Sequence, residues 1–368
     1  MSRFFDLVSK PARDLGNTPT PARSTGNGRQ AILRLDSNES PFGPSALALE
    51  AMRAALLESN LYPDNDCTAL RRRLAELHGI APDQMIVTAG STALIGILCQ
   101  TMLGPGLNAV TGLHTFIVYA LAVHAAGAEL VQAPMKNDGI DLDSMLAAVD
   151  GNTRLVLLSN PNNPTGTVVT AEATRRFIEA LPNHVVVVLD EAYFEYADYF
   201  AQLRGIHYSE SLELVKEGLP VVVLRTFSKV HGLAGLRVGY GMGPAELLAY
   251  CASLRDTYSV SSAAQAGALA ALGDPMHVRD VVQRNSEQAQ FLNAEFSSMG
   301  FRVTETSANF IHCDVGREAV TLAQVLYHQG ISVRPLGTWG LPHSIRVSIG
   351  TADQNRLLVD ALRHLQSA

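Results

Sequence analysis

Cysteine is scarce in this 368-residue chain, and its four copies lie far apart, at Cys67, Cys99, Cys251 and Cys313. Thiols this scattered provide neither the paired spacing of a zinc site nor the framework of a small disulfide-rich domain. The eleven histidines form no metal-binding cluster either. We therefore expect reduced thiols, a cytoplasmic protein and no bound metal.

Long apolar runs and basic clusters are also missing. No uninterrupted apolar stretch is long enough to span a bilayer. The first five residues lack the hydrophobic region and cleavage site of a signal peptide. The net charge is −7, and lysine and arginine form no cluster that would suit nucleic acid. We therefore expect no membrane and no nucleic-acid partner.

The composition, 47% hydrophobic and 17% charged, is typical of a globular protein with a substantial core. Residues 8 to 30 are rich in proline, glycine, threonine, serine and arginine, which predicts an irregular arm. From about residue 45, helix-like stretches alternate with short apolar runs, which indicates an α/β fold with a parallel sheet. We predict an arm and small-domain segment (1–45), a large domain (46–255) and a small C-terminal α+β domain (256–368).

Four apolar runs predict the strands of the large sheet. Each is apolar throughout, as expected for strands covered on both faces, and each ends in a polar or glycine-rich turn. Ligands of open α/β sheets lie beyond the carboxyl ends of the strands, so these ends could share one site. The predicted strands are Met85–Val87, Leu155–Leu158, Val185–Leu189 and Val221–Leu224.

The pattern changes after Tyr258, where an alanine-rich helix and a long amphipathic helix are followed by shorter strands. We predict helices at Ser261–Leu272 and Val281–Phe296, and strands at Phe310–His312, Ile331–Arg334 and Ile345–Ile349.

The most informative run is Arg225-Thr-Phe-Ser-Lys229, which follows a predicted strand and precedes Arg237 by eight residues. A lysine that forms a Schiff base must be able to lose its proton and still meet an aldehyde. The hydroxyls of Thr226 and Ser228, with the guanidinium, suit a phosphate. The run predicts a pyridoxal phosphate site; the alternative is an exposed lysine with an unrelated arginine.

Two further strand ends carry suitable polar groups. Asp190 could pair with a protonated pyridine nitrogen, although acids also commonly cap turns. Asn163 lies in a proline-rich turn, where it could donate to the cofactor's phenolic oxygen, with Tyr193 as a second donor. The alternative is an ordinary turn, because prolines and asparagines are common in turns.

The turn Gly90-Ser91-Thr92 opens a predicted apolar helix that extends from Ala93 to Leu103. Free backbone N–H groups and the helix dipole favour a phosphate at such an end. A simple serine or threonine N-cap is the alternative.

Together these motifs resemble the fold-type I pyridoxal-phosphate-dependent aminotransferases of class I and II, and in particular the histidinol-phosphate aminotransferase branch. The resemblance covers roughly residues 32 to 362. It implies a large domain with a mostly parallel sheet flanked by helices, and a smaller α+β domain. It also rests on the segments Leu35–Pro44, Tyr62–Asp64, Val333–Pro335 and Gly340–Thr351.

The resemblance implies a role for each matching residue. Lys229 would form a Schiff base with pyridoxal 5′-phosphate and then move the substrate proton. Asp190, at the ring nitrogen, and Tyr193, at the phenolic oxygen, would be further catalytic groups. The cofactor would also be held by Phe116 against the ring, Asn163 at the phenolic oxygen, Tyr62 of the partner subunit, and a phosphate-binding set of Ser91, Thr92, Thr226, Ser228 and Arg237.

The same resemblance implies the substrate residues and an assembly. Arg346 would bind the substrate carboxylate, Arg334 the distal anionic group, and Asn38 lies in the segment that covers the substrate. Because Tyr62 would reach the phosphate of the other subunit, the resemblance implies a homodimer.

The implied reaction is transamination between an amino donor and 2-oxoglutarate, with histidinol phosphate or an aromatic amino acid as donor. The arm, residues 13 to 29, lacks the family's Tyr-x-Pro-Gly run, so the donor stays open. A decarboxylase, cyclase or oxidase on the same scaffold, or a binding protein without turnover, are alternatives. A nicotinamide dehydrogenase is disfavoured, because Gly239-Tyr-Gly-Met-Gly243 lacks the required glycine spacing.

Overall fold

The computed structural model describes residues 7–16 and 32–367, and its strands form four sheets. The largest sheet has seven strands, the next has four, and two are strand pairs. In chain order the strands are β1 (Leu33–Arg34), β2 (Met85–Thr88), β3 (Asn108–Gly112), β4 (Glu129–Ala133), β5 (Met135–Lys136), β6 (Gly139–Ile140), β7 (Thr153–Ser159), β8 (Val186–Asp190), β9 (Val221–Thr226), β10 (Gly239–Met242), β11 (Arg302–Val303), β12 (Phe310–Asp314), β13 (Ile331–Ser332), β14 (Arg334–Pro335) and β15 (Ser344–Ser348).

Helices surround these sheets. None of the described helices is both long and apolar enough to cross a bilayer. In chain order they are α1 (Lys10–Gly16), α2 (Ala46–Ala55), α3 (Thr68–His78), α4 (Ser91–Met102), α5 (Val118–Ala125), α6 (Leu142–Ala147), α7 (Ala171–Ala180), α8 (Phe194–Arg204), α9 (Ser211–Lys216), α10 (Ala245–Ser253), α11 (Ser262–Ala271), α12 (Pro275–Ser298), α13 (Ala319–His328) and α14 (Ala352–Ser367).

The large sheet has the order β2-β10-β9-β8-β7-β3-β4. Strand β10 runs in the direction opposite to the other six strands. All four predicted strands are confirmed, with bounds that differ by at most two residues at either end. Strands β2 and β9 are buried along their whole length, which explains why they are apolar at nearly every position.

The prediction omits β3, β4 and β10, because glycine and polar residues interrupt their apolar patterns. In β10, the two glycines allow a close approach of other elements. A Cβ at Gly239 would lie 2.4 Å from the backbone nitrogen of Ser91, and one at Gly241 would lie 2.4 Å from Leu94. The glycine-rich run is therefore a tightly packed strand beside α4, with no dinucleotide turn.

The second sheet has the order β11-β12-β15-β14 and is antiparallel. The predicted strand Ile331–Arg334 is only partly correct, since it is two short strands on either side of Val333. Strand β13 pairs with β1 from the N-terminal segment, whereas β14 pairs with β15. One run of chain thus joins the N-terminal segment to the second sheet.

Several apolar cores pack against these sheets, and two of them bear on the predicted domains. The first contains Val87 and Val223 of the large sheet together with Ala264 and Ala268 of α11, so α11 packs with the large sheet. The second includes Leu35 and residues from α12 onward. The predicted domain bounds, near residues 45 and 255, stay predictions.

The predicted irregular arm contains a helix, so the prediction is wrong for residues 10–16, where α1 forms. Proline at the second helical position, Pro11, is compatible with a helix because the first N–H groups have no intrahelical acceptor. Gly127, which follows α5, lies close to this proline. The rest of the predicted arm, residues 17–30, lies outside the described residues.

A buried ion pair fastens the ends of β8 and β9. The Nε and Nη2 atoms of Arg225 lie 3.0 and 2.8 Å from one carboxylate oxygen of Glu191. Ser209 donates to the other oxygen at 2.5 Å, and the guanidinium lies 3.4 Å from the ring centroid of Phe194. The two charged side chains are only 6% and 2% exposed.

We expect Arg225→Met to lower the free energy of unfolding by about 3–5 kcal/mol, because it leaves the buried Glu191 carboxylate without its cation. Urea denaturation of the cofactor-free protein measures this loss. The double variant Arg225→Met/Glu191→Leu should recover most of it. A single variant as stable as the wild-type protein would contradict this account of the pair.

Candidate active site

A cavity of about 370 Å³ lies at the carboxyl ends of the large sheet. Strands β7, β8 and β9 are parallel neighbours, so their final residues meet at one edge. The N-terminal segment and strands β14 and β15 form the opposite side. The cavity brings together every residue predicted for the site except Tyr62.

Lys229 lies three residues beyond the end of β9, with its amine in this cavity. The Nζ atom donates to the backbone oxygen of Asn38 at 3.2 Å and lies 5.3 Å from the ring centroid of Tyr193. Burial, followed by the positive charge of Arg346, lowers the pKa of Lys229 to about 7. An unprotonated amine is therefore well populated near neutral pH, as a nucleophile or base requires.

Asp190 is the last residue of β8. Its carboxylate accepts hydrogen bonds from the hydroxyl of Tyr119, at 2.9 Å, and from the backbone N–H of Ala192, at 3.2 Å. Burial raises the pKa of Asp190 to about 6, and these hydrogen bonds oppose that rise. This buried acid is suited to face a cationic ring nitrogen.

The N-terminus of α4 forms an anion cradle with the loop after β9. The Thr226 hydroxyl accepts from the backbone N–H of Ser228 at 3.1 Å, and an Arg237 nitrogen lies 3.4 Å from the Ser228 hydroxyl. Gly90 has a φ of +87°, and a Cβ there would lie 2.6 Å from the guanidinium of Arg237. Hydroxyls, a helix N-terminus and a guanidinium thus converge as a phosphate requires.

Amides surround the phenolic oxygen of Tyr193. Asn38 and Asn163 donate to it at 2.9 and 3.3 Å. The side-chain oxygen of Asn163 in turn accepts from Arg346 at 2.5 Å. This chain of hydrogen bonds joins the N-terminal segment, the turn after β7 and strand β15.

Arg334 and Arg346 occupy opposite positions on β14 and β15, so both side chains lie on the same face of the sheet. Both donate to the backbone oxygen of Asp36, at 3.3 and 3.0 Å. Arg346 is 6% exposed, and its buried Nε atom has no hydrogen-bond partner among the described residues. Burial lowers the pKa of Arg346 to about 10. Within the described part of the chain no carboxylate pairs with this buried guanidinium, which favours an anionic ligand.

The sequence interpretation missed several supporting residues. Tyr119, which binds Asp190, lies three residues after Phe116, a spacing that places residues on one face of a helical turn. Ser348 accepts from the backbone N–H of Asn38 at 2.7 Å, and it lies two residues beyond Arg346 on β15. The sequence signals that could have identified Tyr119 and Ser348 were these spacings from Phe116 and Arg346.

Trp339, for which substrate contact and simple packing are equal alternatives from the sequence, lines the cavity. Its indole N–H donates to the backbone oxygen of Thr115 at 2.9 Å, and His114 contacts its carbonyl oxygen at 2.6 Å. The segment after β14 is therefore linked to the turn that precedes Phe116.

Tyr62 lies outside the cavity. Its side chain is 81% exposed and stacks on Tyr258, with ring centroids 4.6 Å apart. The role predicted for Tyr62 in a second copy of the chain stays a prediction.

The chain is similar to known proteins in sequence and in structure. The sequence pattern of the family "Aminotransferase class I and II" matches residues 30–362. The histidinol-phosphate aminotransferase of Akkermansia muciniphila is 40% identical, over 98% of this chain and 97% of that protein. Histidinol-phosphate aminotransferase 2 of Pseudomonas fluorescens is also 40% identical, over 90% of this chain and 88% of the relative.

Solved structures agree with this similarity. The crystal structure of histidinol-phosphate aminotransferase from Sinorhizobium meliloti, in complex with pyridoxal-5′-phosphate, matches with a TM-score of 0.85 and 29% identity. The match covers 94% of this chain and 99% of the other.

We expect Tyr119→Phe to destabilise the cofactor-free protein increasingly as pH rises. Burial raises the pKa of Asp190 in the folded protein from 3.8 to about 6. At higher pH the folded protein holds a buried carboxylate, which lowers its free energy of unfolding. Loss of the hydroxyl raises this pKa further. The free energy of unfolding should therefore fall by about 1–3 kcal/mol near pH 8 and by less near pH 5.

Urea denaturation at both pH values checks this expectation. Tyr208→Phe is a matched control, because that buried hydroxyl donates to a backbone oxygen, that of Asn160. Its loss of stability should be the same at both pH values. An equal loss at both pH values for Tyr119→Phe would mean that the hydroxyl does not stabilise the ionised acid.

Proposed function

The chain belongs to the aminotransferase class I and II family, and from this we propose that it is a pyridoxal-phosphate-dependent transaminase that transfers an amino group from histidinol phosphate to 2-oxoglutarate. The observation that carries the proposal is one cavity that combines the Lys229 amine, an anion cradle with Arg237, and the pair Arg334 and Arg346. Relatives about 40% identical are histidinol-phosphate aminotransferases, which supports the choice of donor.

The residues present fit pyridoxal phosphate. The absence of a Cβ at Gly90 lets the guanidinium of Arg237 lie close to the N-terminus of α4, where a phosphate would bind. Asp190 suits the ring nitrogen, and the Tyr193 and Asn163 pair suits the phenolic oxygen. Phe116 would lie against the ring, and the phosphate would be held by Ser91, Thr92, Thr226, Ser228 and Arg237.

Bound pyridoxal phosphate supplies an aldehyde that condenses with amines and a ring that accepts the electrons left when a substrate Cα–H bond breaks. Lys229 provides the amine that holds the aldehyde and, once released, the base that takes the proton at Cα. Because its pKa is lowered to about 7, the released amine can accept that proton and return it in the reverse half-reaction. Asp190 keeps the ring nitrogen protonated, and Tyr193 orients the phenolic oxygen.

Arg346 and Arg334 orient both substrates. Histidinol phosphate carries a phosphate one carbon away from its amine-bearing carbon, and 2-oxoglutarate carries a carboxylate next to its keto carbon. Arg346 binds this neighbouring anion, with its Nη groups held by Asn163 and Asp36. Arg334 binds the distal carboxylate of 2-oxoglutarate, and Asn38 covers the bound substrate.

A second copy of the chain completes the site in this proposal. Tyr62 lies on a surface that also exposes Leu57 and Leu61, which are 85% and 61% exposed. An apolar surface of this kind suits a protein interface. The four cysteines are buried and unpaired, which suits the cytoplasmic location that we propose.

The cofactor-loaded enzyme should lose its visible absorbance when histidinol phosphate is added alone, and 2-oxoglutarate should restore it. The product of the first step should be the keto compound, identified by mass spectrometry. Lys229→Ala should show no turnover, with kcat lowered by at least about 10⁴-fold, since the base and the cofactor linkage are lost together.

The control is phenylalanine as donor, which has an α-carboxylate in place of the phosphate-bearing group. Release of carbon dioxide or ammonia without recovery by 2-oxoglutarate would overturn transamination. A preference for phenylalanine over histidinol phosphate would overturn the choice of donor while leaving the reaction type in place.

Tyr62→Phe should weaken cofactor binding by about tenfold, because it removes one hydrogen bond to a charged phosphate. The dissociation constant of pyridoxal phosphate from fluorescence titration measures this. Mixing Tyr62→Phe subunits with Lys229→Ala subunits should restore one tight site in each hybrid dimer, since that site combines an intact lysine with an intact tyrosine. Unchanged weak binding in the hybrid would place Tyr62 in its own subunit's site or in none.

A further inference from the structure

Three acidic side chains line the active-site cavity: those of Asp36, Glu39 and Asp190. The carboxylate of Asp190 accepts from Tyr119, as described above. That of Asp36 accepts from the hydroxyls of Ser332, at 2.7 Å, and Ser37, at 2.8 Å. Two of the three acids therefore already have hydrogen-bond donors within the chain.

Glu39 differs from the other two acids. Within the part of the chain that the structure describes, its carboxylate accepts no hydrogen bond, and its nearest cation is Arg34, with a nitrogen 3.7 Å away. Both side chains of this pair are partly exposed, 40% for Glu39 and 45% for Arg34. An exposed pair at this separation is weak, so the carboxylate remains available to a ligand.

The position of Glu39 brings its charge close to the reacting groups. The preceding residue, Asn38, accepts a hydrogen bond from the Lys229 amine through its backbone oxygen. The negative charge of Glu39 opposes the lowering of the Lys229 pKa, and it does so more strongly than the charge of Asp190. Glu39 is thus an acid of the cavity wall near the amine, and it is partly exposed.

The chemistry of a carboxylate defines what it can recognise. A carboxylate accepts hydrogen bonds and donates none, and a bond from a cationic N–H is among the stronger ones in proteins. It also repels a second carboxylate, which disfavours acidic substituents nearby. Arg334 and Arg346 line the same cavity, so anionic groups of a substrate have their own positions.

We propose that Glu39 is a specificity-determining residue that accepts a hydrogen bond from an N–H-bearing, basic substituent of the amino donor, such as an imidazole. This inference rests on the proposed function and deepens it. With the donor's amine at Lys229 and its anion at Arg346, the remaining substituent is placed against Glu39. The acceptor 2-oxoglutarate has no such N–H group and gains nothing from this acid.

Histidine and phenylalanine form a matched pair of probes, because they share the α-amino acid part and an aromatic ring, and only the imidazole has an N–H. Glu39→Gln removes the charge with little change in shape. Arg34→Gln removes the exposed partner of Glu39 and leaves the cavity wall unchanged. For each protein, the rate of the first half-reaction and the dissociation constant from calorimetry are measured with both donors and with histidinol phosphate.

Glu39→Gln should lower the preference for histidine over phenylalanine by about tenfold or more, and Arg34→Gln should leave it unchanged. In the wild-type enzyme, the preference should increase as pH falls through about 6.5, where imidazole becomes a cation, and Glu39→Gln should abolish this increase. Because the ratio of two donors is compared, titration of Lys229 and Asp190 cancels.

An unchanged ratio in Glu39→Gln, or an equal loss with both donors, would overturn the inference, because it would limit Glu39 to shaping the site or setting the charge of Lys229. Failure of the proposed donor would appear differently, as a wild-type enzyme that does not react with histidinol phosphate. The histidine-to-phenylalanine ratio of binding would still decide the role of Glu39 in that case.

Discussion

The active site depends on the enclosure of one amine among cations. Lys229 lies in a cavity whose wall includes Arg346 and Arg237, and burial together with these charges makes its protonated form unfavourable. The same two guanidinium groups are the positions where anions are expected to bind. Each bound anion therefore reduces the repulsion on the amine, which links the charge of the lysine to occupancy of the site.

The protein prepares this arrangement with neutral hydrogen bonds. Asn163 and the backbone oxygen of Asp36 orient Arg346 and leave its charge unneutralised, whereas a carboxylate would have competed with the ligand. Asn38 has a similar function at Tyr193, and its own backbone is held by Ser348 and Asn309. Buried hydrogen bonds of this kind fix side-chain positions.

Topology brings these groups to one place. Parallel neighbours β7, β8 and β9 deliver Ser159, Asp190 and the Lys229 loop to one edge, and the buried pair of Arg225 and Glu191 holds two of those ends together. The N-terminal segment reaches the same cavity because β1 pairs with β13, whose continuation is β14 with Arg334.

The sequence by itself predicted four strands of the large sheet, because continuous apolar runs are local patterns. Through motif resemblance it also named residues that line the cavity, Arg334 and Arg346 among them. It could not reveal β10, where two glycines serve close packing on α4, or the division of residues 331–335 between two sheets. Only the tertiary structure decided which polar groups are already paired. That Tyr119 holds Asp190, while Glu39 accepts no hydrogen bond from any described residue, depends on contacts between residues far apart in the chain, and no local pattern encodes such distances.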